Sequence, residues 1–352
     1  MSIDTLKVEE SRINQIDENN IQFGRTYSDH MLIADYEDGQ WSSAKIVPYG
    51  NISMSPSTTF IHYGQSIFEG IKAYKNQQGE IKIFRPDENW KRFNRSAERM
   101  GMPHVPEDIF MKGLKELVAL DKDWVPNADG CSLYIRPFMF ATDAFIGVKP
   151  AEQFRFMIIS SPAGAYYNKP TRIYVQDEFV RAFPGGIGFT KAAGNYGAVM
   201  YPTQQIRQKG FDQNLWLDGV EKKYIQEIGT MNIFIVIGDK IVTPDLKQDT
   251  ILAGVTRDSA IKLLTEKGYT VEERPISIDE LIEAYDNGLL KEAFGAGTAA
   301  VIAPIAEFYY KGKTMLLPNI EDWTIAPFIK KSLSDIRYGR VSDTHQWMFP
   351  VC

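Results

Sequence analysis

The sequence predicts an α/β fold of mixed α+β type, divided into two domains. Its 352 residues exceed the roughly 150 residues that are usual for one domain. Both halves alternate strand-like apolar runs with short amphipathic helices. A stretch rich in glycine, proline and small residues, 161–170, lies near the middle of the chain. We therefore predict a smaller N-terminal domain over 1–162, a linker over 163–170 and a larger C-terminal domain over 171–352.

The elements of the first half follow from hydrophobic periodicity. Alternation of apolar residues predicts strands, and apolar runs around a polar turn predict a hairpin. Apolar residues spaced by three and four positions predict amphipathic helices. The predicted elements are a strand near 31–35, a hairpin over 70–84, helices over 87–101 and 106–124, and strands over 131–140 and 154–160.

The second half repeats these patterns more regularly. Aspartate–glycine and glycine–aspartate pairs between apolar runs predict two further hairpins. The predicted elements are a strand over 171–176, a helix from Asn195 to near Gly210, hairpins at 218–219 and 238–239, a helix after Gly254, a helix over 278–288, two strands around a glycine loop within 291–313, and a closing helix over 324–339.

Composition and charge exclude several classes of protein. The hydrophobic share of 44% and the charged share of 24% are ordinary for a globular protein. The net charge of −6 argues against a nucleic-acid partner. No apolar run reaches the roughly 18 residues of a transmembrane helix. The first twenty residues are polar and lack the apolar core of a secretory signal, which predicts a cytoplasmic protein.

The metal-binding residue types show no pattern. Cys131 and Cys352 lie far apart, which predicts free thiols. The four histidines do not cluster, and neither HExxH nor CxxC occurs. We therefore expect no metal site.

One stretch, Gly185 to Gly197 (GGIGFTKAAGNYG), holds a single lysine, Lys191, among glycines and alanines. Small residues let a flat ligand or another backbone come close. A lysine in an apolar, close-packed site loses hydration, which favours the neutral amine that forms imines with carbonyl compounds. A tight glycine loop with Lys191 pointing to water is an equally good interpretation of this stretch alone.

Three further features favour the functional interpretation. Arg85 ends a strand just before a helix and is a candidate phosphate ligand, although a solvated or salt-bridged arginine is the ordinary alternative. The helix after Gly254 offers backbone amides to an anion. Glu227 lies in an isoleucine-containing run, IQEI, and is a candidate buried acid unless its strand face is exposed. A lysine, phosphate ligands and a carboxylate for the ring nitrogen are what pyridoxal phosphate needs.

Two features of the first half lack an ordinary explanation. Arg136 lies inside an apolar strand-like run, so it needs a partner or a wet cavity. The loop that follows carries Phe145, Ile146 and Val148 with little polar cover, which is typical of contact with a ligand or another subunit.

The chain resembles the branched-chain amino-acid aminotransferases, the longer form within the fold-type IV pyridoxal-phosphate enzymes. The resemblance runs from about Phe23 to the C-terminus. Any one of its motifs is moderate support, and nine in the same order are strong support. They are FGRTYSDHM, HYGQSIFEGIKAY, IFRP, SLYIRP, GAY, GGIGFTKAAGNYG, QEIGTMN, LAGVTRDS and FGAGTA.

The resemblance assigns roles to individual residues. Lys191 resembles the lysine that binds the cofactor and moves the Cα proton, Tyr196 the tyrosine at the cofactor's O3′, and Glu227 the carboxylate at the ring nitrogen. The remaining cofactor ligands would be Arg85, Thr230, Val255, Thr256 and Thr298. The substrate would be bound by Phe23, Tyr63, Phe68, Tyr134, Arg136, Tyr166, Thr298 and Ala299, together with Ile146 and Val148.

The resemblance also implies the activity. The family transfers the amino group of L-leucine, L-isoleucine and L-valine to 2-oxoglutarate, which gives branched-chain 2-oxo acids and L-glutamate. We therefore expect two α/β domains with pyridoxal 5′-phosphate at their interface. In the family, Tyr63 and the loop with Ile146 and Val148 come from the other subunit, which implies a homodimer with shared active sites.

Two departures and two alternatives accompany this interpretation. Ala300 and Ala303 replace a Cys-x-x-Cys pair of some members, so no thiol switch is expected, and the segment 166–181 is shorter than in some relatives. D-Amino-acid aminotransferases and aminodeoxychorismate lyases share the lysine and the glutamate but lack the pairing of SLYIRP with GAGTA. A cofactor-storing protein on the same fold is the alternative from a different class.

Overall fold

The chain divides into two compact units. The computed structural model describes residues 3–16, 21–164, 169–299 and 301–352. Unit 1 comprises Met1–Tyr166, Thr190–Gly194 and Asp335–Cys352, and unit 2 comprises Tyr167–Phe189 and Asn195–Ser334. Both units mix helices with strands, as the sequence predicts.

The predicted linear division differs from these units at two segments. Residues 190–194 belong with unit 1, where Ala192 forms a β-bridge with Ile67. The last residues, 335–352, also belong with unit 1, because their strand pairs within its sheet. Residues 165–168 of the predicted linker lie outside the described residues. The linker at 163–170 therefore stays a prediction.

The strands are β1 (Asp4–Thr5), β2 (His30–Glu37), β3 (Gln40–Trp41), β4 (Lys45–Pro48), β5 (Ser66–Phe68), β6 (Ile71–Lys75), β7 (Ile81–Phe84), β8 (Ser132–Ala141), β9 (Phe154–Ala163), β10 (Thr171–Gln176), β11 (Gln213–Leu217), β12 (Ile225–Ile228), β13 (Met231–Ile237), β14 (Lys240–Thr243), β15 (Val271–Glu273), β16 (Leu290–Gly297), β17 (Val301–Tyr310), β18 (Lys313–Leu316) and β19 (Met348–Pro350). The α-helices are α1 (Thr59–Tyr63), α2 (Pro86–Arg99), α3 (Gly113–Leu120), α4 (Ala193–Gly197), α5 (Met200–Gln208), α6 (Val255–Glu266), α7 (Ile278–Asp286) and α8 (Ile325–Arg337).

Each unit is built on one sheet. Within the described residues, unit 1 has ten strands in the order β1-β4-β2-β9-β8-β6-β7-β19, with β3 on β2 and β5 on β8. Unit 2 has nine, in the order β12-β11-β10-β17-β16-β13-β14-β15, with β18 on β17. A further pairing of β12 with β13 closes part of this sheet into a ring. Strand β12, which carries Glu227, is therefore paired on both sides.

Two predicted helices are interrupted. The helix predicted over 106–124 consists of a π-helical turn (Asp108–Lys112), α3 and a 3-10 turn (Lys122–Trp124). The helix predicted from Asn195 begins at Ala193 and is divided into α4 and α5. Glycines in α4 weaken helix continuity, and Pro202 suits the first turn of a new helix.

The hairpin predicted at 218–219 has a longer loop than a two-residue turn. Strands β11 and β12 do pair antiparallel. Between them, the Asp218 carboxylate accepts hydrogen bonds from the backbone N–H groups of Val220, Glu221, Lys223 and Tyr224. Burial alone would raise the pKa of Asp218, but these four bonds outweigh it and hold the pKa below its ordinary value. One side chain thus orders the whole connection.

No helix in the described part of the chain is long and apolar enough to cross a membrane.

Phenylalanines fill the core of unit 1 between its sheet and its helices. Phe156 of β9 is 0% exposed. Its ring centre lies 5.5 Å from that of Phe93 on α2 and 5.7 Å from that of Phe110 in the π-helical turn. Offset and edge-on ring pairs of this kind add to the free energy gained from burial. The Phe156 ring therefore joins three elements.

We expect Phe156→Ala to lower the free energy of unfolding by about 3–5 kcal/mol, because the large cavity it leaves cannot collapse among fixed rings. Chemical denaturation measures the change. Leu316→Ala, at a side chain that is 60% exposed, is the control and should cost under about 0.5 kcal/mol. Equal costs for the two variants would contradict the assignment of the core.

Candidate active site

The lysine of the glycine-rich stretch is fixed through its backbone in unit 1. The Lys191 N–H donates to Ser96 Oγ of α2 over 3.0 Å, and its carbonyl accepts from the Phe68 N–H over 3.0 Å. Its Nζ lies 5.0 Å from the centre of the Phe68 ring, and the residue is half-buried. Lys191 therefore lies against an aromatic face and is not part of a fully solvated loop.

A buried carboxylate follows Phe68 directly. Glu69 is 0% exposed. Arg92 donates to both of its oxygens, from Nε over 2.7 Å and from Nη2 over 2.8 Å, and Asn89 Nδ2 donates over 2.7 Å. Burial alone would raise the pKa of Glu69, but Arg92, the Lys191 charge and Asn89 outweigh it and hold the pKa below its ordinary 4.5. We call this group the lysine cluster; its members are Phe68, Glu69, Asn89, Arg92, Ser96 and Lys191.

The sequence analysis missed the polar half of this cluster. Asn89, Arg92 and Ser96 follow one another at three and four positions along α2, and all three are buried. Helix α2 thus buries a polar stripe as well as its apolar face. The available signal was Glu69, an acid inside the otherwise apolar run SIFEGI.

Arg85 is held in a strained backbone conformation between β7 and α2. Its φ of 47° lies in the left-handed region, which non-glycine residues seldom adopt. The Arg85 N–H donates to the Trp347 carbonyl over 2.7 Å, and the guanidinium lies 5.1 Å from the centre of the Trp347 ring. The side chain is 5% exposed. Its position is therefore set by the C-terminal segment.

Four of the predicted substrate residues lie together in unit 1. Arg136 Nη2 donates to Tyr134 Oη over 3.0 Å, and its guanidinium lies 4.6 Å from the centre of the Phe68 ring. The Phe23 ring meets the Tyr134 ring edge-on, with centres 4.9 Å apart. Arg136 Nε is buried and has no hydrogen-bond partner among the described residues. An orphaned donor beside aromatic rings suits a carboxylate with an apolar side chain.

The predicted acid of unit 2 is a buried carboxyl group with a cationic neighbour. Glu227 is 3% exposed, and its Oε1 accepts from the Leu252 N–H over 2.8 Å. Arg181 Nε lies 3.1 Å from its Oε2, an ion pair that falls outside hydrogen-bond geometry. Gln226 Nε2 donates to Thr250 Oγ1 over 3.0 Å. We call this the carboxylate cluster; its members are Arg181, Gln226, Glu227, Thr250 and Leu252.

The start of α6 is positioned with this cluster. Asn232, directly opposite Glu227 on β13, donates to the Leu252 carbonyl over 2.9 Å. A Cβ at Gly254 would overlap Asn232 Oδ1, so only glycine fits there. No side chain of the described ranges caps the first turn of α6, and Thr256 is buried within it. Uncapped amides at a helix N-terminus are suited to an anion such as phosphate.

The other predicted site residues are placed as follows. Tyr196 lies on α4, Thr230 in the exposed turn between β12 and β13, Val255 at the start of α6, and Thr298 and Ala299 in the turn after β16. Val301, which follows that turn, has a φ of 60°, a genuine outlier for a β-branched residue. Tyr63, Ile146 and Val148 are surface residues, exposed by 43%, 67% and 89%. Tyr166 lies outside the described residues.

Cys131 is half-buried and Cys352 is exposed, and neither forms a disulfide bond. Within the described ranges, no three His, Cys, Asp or Glu side chains are grouped to hold a metal ion.

The fold and these clusters define a class IV aminotransferase. The model of the family "Amino-transferase class IV" matches residues 66–308. The chain belongs to this family, and within it to the branched-chain amino-acid aminotransferases, as the sequence analysis predicts.

Relatives match nearly the whole chain. A probable branched-chain-amino-acid aminotransferase of Staphylococcus aureus (strain MRSA252) is 48% identical over 98% of this chain and 98% of its own. Branched-chain-amino-acid aminotransferase 2 of Bacillus subtilis (strain 168) is 46% identical over 100% and 98%. Among solved structures, the Escherichia coli branched-chain amino acid aminotransferase is 26% identical, with a TM-score of 0.76 over 92% of this chain and 99% of its own.

Glu69→Gln leaves Arg92 buried without its counter-charge, so the free energy of unfolding at pH 7 should fall by about 3–5 kcal/mol. Urea denaturation measures the change. The control is Glu88→Gln, on α2 with Arg92. It removes an exposed ion pair with Lys91 and should cost under about 1 kcal/mol.

The pH dependence gives a second readout of the same variant. Because the pKa of Glu69 is lowered in the folded protein, its contribution is present above pH 4.5 and is lost as the pH falls through the folded pKa. The difference between wild type and Glu69→Gln should therefore shrink below pH 4.5. A difference in unfolding free energy that stays constant as the pH falls below 4.5 would contradict an ionised Glu69.

Proposed function

We propose that the chain transfers the amino group of L-leucine, L-isoleucine and L-valine to 2-oxoglutarate, with pyridoxal 5′-phosphate as its cofactor. The observation that carries this proposal is the lysine cluster, where Lys191 is fixed by backbone bonds to β5 and α2. Relatives of 46–49% identity are named as branched-chain-amino-acid aminotransferases. Another solved branched-chain amino acid aminotransferase, 26% identical with a TM-score of 0.72, is complexed with N-(5′-phosphopyridoxyl)-L-glutamate.

The residues present fit this cofactor. The uncapped start of α6 and the buried guanidinium of Arg85 suit a phosphate. The buried carboxylate of Glu227 suits a protonated ring nitrogen. The residues that would hold the cofactor are Lys191, Arg85, Tyr196, Glu227, Thr230, Val255, Thr256 and Thr298.

Three side chains would have separate roles in the reaction. When bound, the cofactor supplies an electron sink for the charge that develops at the substrate Cα. Lys191 would take the proton from the substrate Cα and deliver it to C4′ of the cofactor. Glu227 keeps the proton on the ring nitrogen, and Arg136, with its orphaned Nε, orients the substrate carboxylate.

Selectivity for branched side chains comes from aromatic surface. Phe23, Phe68 and Tyr134 would surround the substrate side chain, and the resemblance adds Tyr166, which lies outside the described residues. Each buried methylene contributes roughly 0.8 kcal/mol, so leucine, isoleucine and valine bind in preference to alanine.

The exposed apolar side chains of unit 1 support a homodimer. Ile61 and Tyr63 of α1 are exposed by 52% and 43%, and Phe145, Ile146 and Val148 by 49%, 67% and 89%. Exposed apolar groups of this kind mark contact surfaces. A second copy of the chain would cover these side chains. Tyr63 and the loop with Ile146 and Val148 would then contact the substrate that the second copy binds. The cytoplasm remains the predicted location.

The function is tested with purified protein, pyridoxal 5′-phosphate, L-leucine and 2-oxoglutarate. L-Glutamate should form, and Lys191→Ala should lower its rate of formation by about 10²–10⁴-fold or more, because it removes the group that transfers the proton. Lys330→Ala, at an exposed lysine of α8, should leave the rate unchanged.

Other results would favour the alternatives. Turnover of D-leucine but not of L-leucine would favour a D-amino-acid aminotransferase. A protein that gains visible absorption with the cofactor but forms no glutamate would favour cofactor storage.

The dimer is tested by sedimentation velocity. The wild type should sediment as twice the chain mass of 40.0 kDa. Val148→Glu should shift the population to monomer, because the charge would lose its hydration in the interface. Leu316→Glu, at another exposed apolar side chain, should leave the dimer intact. A monomeric wild type, or equal effects of the two variants, would contradict the proposal.

A further inference from the structure

The proposed function gives no role to Arg181, a cation of unit 2 with a buried side chain. Arg181 lies in the run FVRAFPGG, between β10 and the lysine segment. Its side chain is only 7% exposed. Neither the motifs nor the fit to the cofactor require it. A buried guanidinium costs free energy unless its partners compensate, so its contacts indicate what it does.

The Arg181 guanidinium contacts three separate segments of unit 2. Its Nε lies 3.1 Å from Glu227 Oε2 on β12. Its Nη1 and Nη2 donate to the Gly188 carbonyl over 3.3 and 3.4 Å. Its Nη2 also donates to the Thr250 carbonyl. A planar fork of donors can bind all three at once, which a lysine ammonium cannot do in the same geometry.

Each of these segments leads to a group that the cofactor would use. Strand β12 carries Glu227. The Gly188 segment continues into Lys191, and the Thr250 segment continues through Leu252 into α6. The last two segments are also joined directly, because the Phe189 N–H donates to the Asp249 carbonyl over 3.1 Å.

Gly188 shows how closely these segments pack around the arginine. A Cβ added there would lie 2.6 Å from the Thr250 carbonyl oxygen and 2.5 Å from the Ala182 Cβ. Only glycine allows this approach, so the distance between the two segments is fixed.

We propose that Arg181 is a positioning residue that keeps Glu227 ionised and aimed at the ring nitrogen of the cofactor. This inference rests on the proposed function. A cation in contact with a carboxylate favours its anionic form. Coulomb energy falls with distance, so Arg181 acts more strongly on the carboxylate it touches than on a ring nitrogen beyond it. The shared proton therefore stays on the nitrogen.

The test compares two ligands that differ at one atom. Pyridoxal 5′-phosphate and its 1-deaza analogue, in which C–H replaces the ring nitrogen, are titrated into cofactor-free protein, and both dissociation constants are measured by fluorescence. The wild type should bind the nitrogen-containing ligand about tenfold or more tightly, the usual value of a charge-assisted hydrogen bond. Arg181→Gln should reduce this ratio to near one, and Arg181→Lys should give an intermediate ratio, because it keeps the charge but not the planar fork of donors.

Two control variants separate positioning from structural support. Arg172→Gln removes an arginine with the same pattern of contacts, Nε to the Glu307 carboxylate and Nη1 to the Gly210 carbonyl, and should leave the ratio unchanged. Glu227→Gln should bring the ratio to near one, and adding Arg181→Gln to it should lower the ratio no further. If Arg181→Gln does not fold, Arg181→Lys carries the comparison with Glu227→Gln.

The outcomes separate this inference from the proposed function. Equal weakening of both ligands by the Arg181 variants, or an unchanged ratio, overturns the positioning role. A wild type that forms glutamate but binds both ligands equally overturns the inference alone. A wild type that binds neither ligand overturns the proposed function and the inference with it.

Discussion

The buried ion pair of Glu69 and Arg92 is the constraint on which unit 1 depends most. A carboxylate that is 0% exposed is stable only if it is paired and hydrogen-bonded. Arg92 meets that need from α2 with two donors, so β5 and α2 are held in one arrangement. The same two elements bind the backbone of Lys191 on either side. Lys191 is thus held by a frame that lies outside its own glycine-rich segment.

Unit 2 also has a buried carboxylate paired with an arginine, Glu227 with Arg181. There the proposed functional residue is the carboxylate, Glu227, and Arg181 is its ion-pair partner. Backbone groups complete the arrangement, with the Leu252 N–H on the carboxylate and two carbonyls on Arg181. Each unit therefore has a buried carboxylate–guanidinium pair, which in unit 1 interacts with Lys191 through Glu69 and in unit 2 includes Glu227 itself. Fixed charges of this kind need no reorganisation when the charge of a substrate changes.

Much of this was readable from the sequence because it depends on local patterns. Periodicity predicted α2, Gly254 predicted the start of α6, and the isoleucines around Glu227 predicted its burial. The supporting arginines were not predicted. Glu69 and Arg92 meet across 23 positions of chain, and a helix pattern alone does not show that its polar face is buried. The left-handed backbone of Arg85 likewise depends on a tertiary contact, the hydrogen bond from its N–H to the Trp347 carbonyl.

The C-terminal segment, with strand β19, completes the sheet of unit 1. Strand β19 pairs with β7, the Cys352 carbonyl accepts from the Ile81 N–H, and the Trp347 carbonyl accepts from the Arg85 N–H. Domains usually fold from the N-terminus as the chain emerges from the ribosome. Unit 1 cannot follow that rule to completion, because its edge strand, β19, is made after the segments of unit 2. A chain without residues 347–352 would lack both this strand and the carbonyl that binds the strained Arg85 backbone.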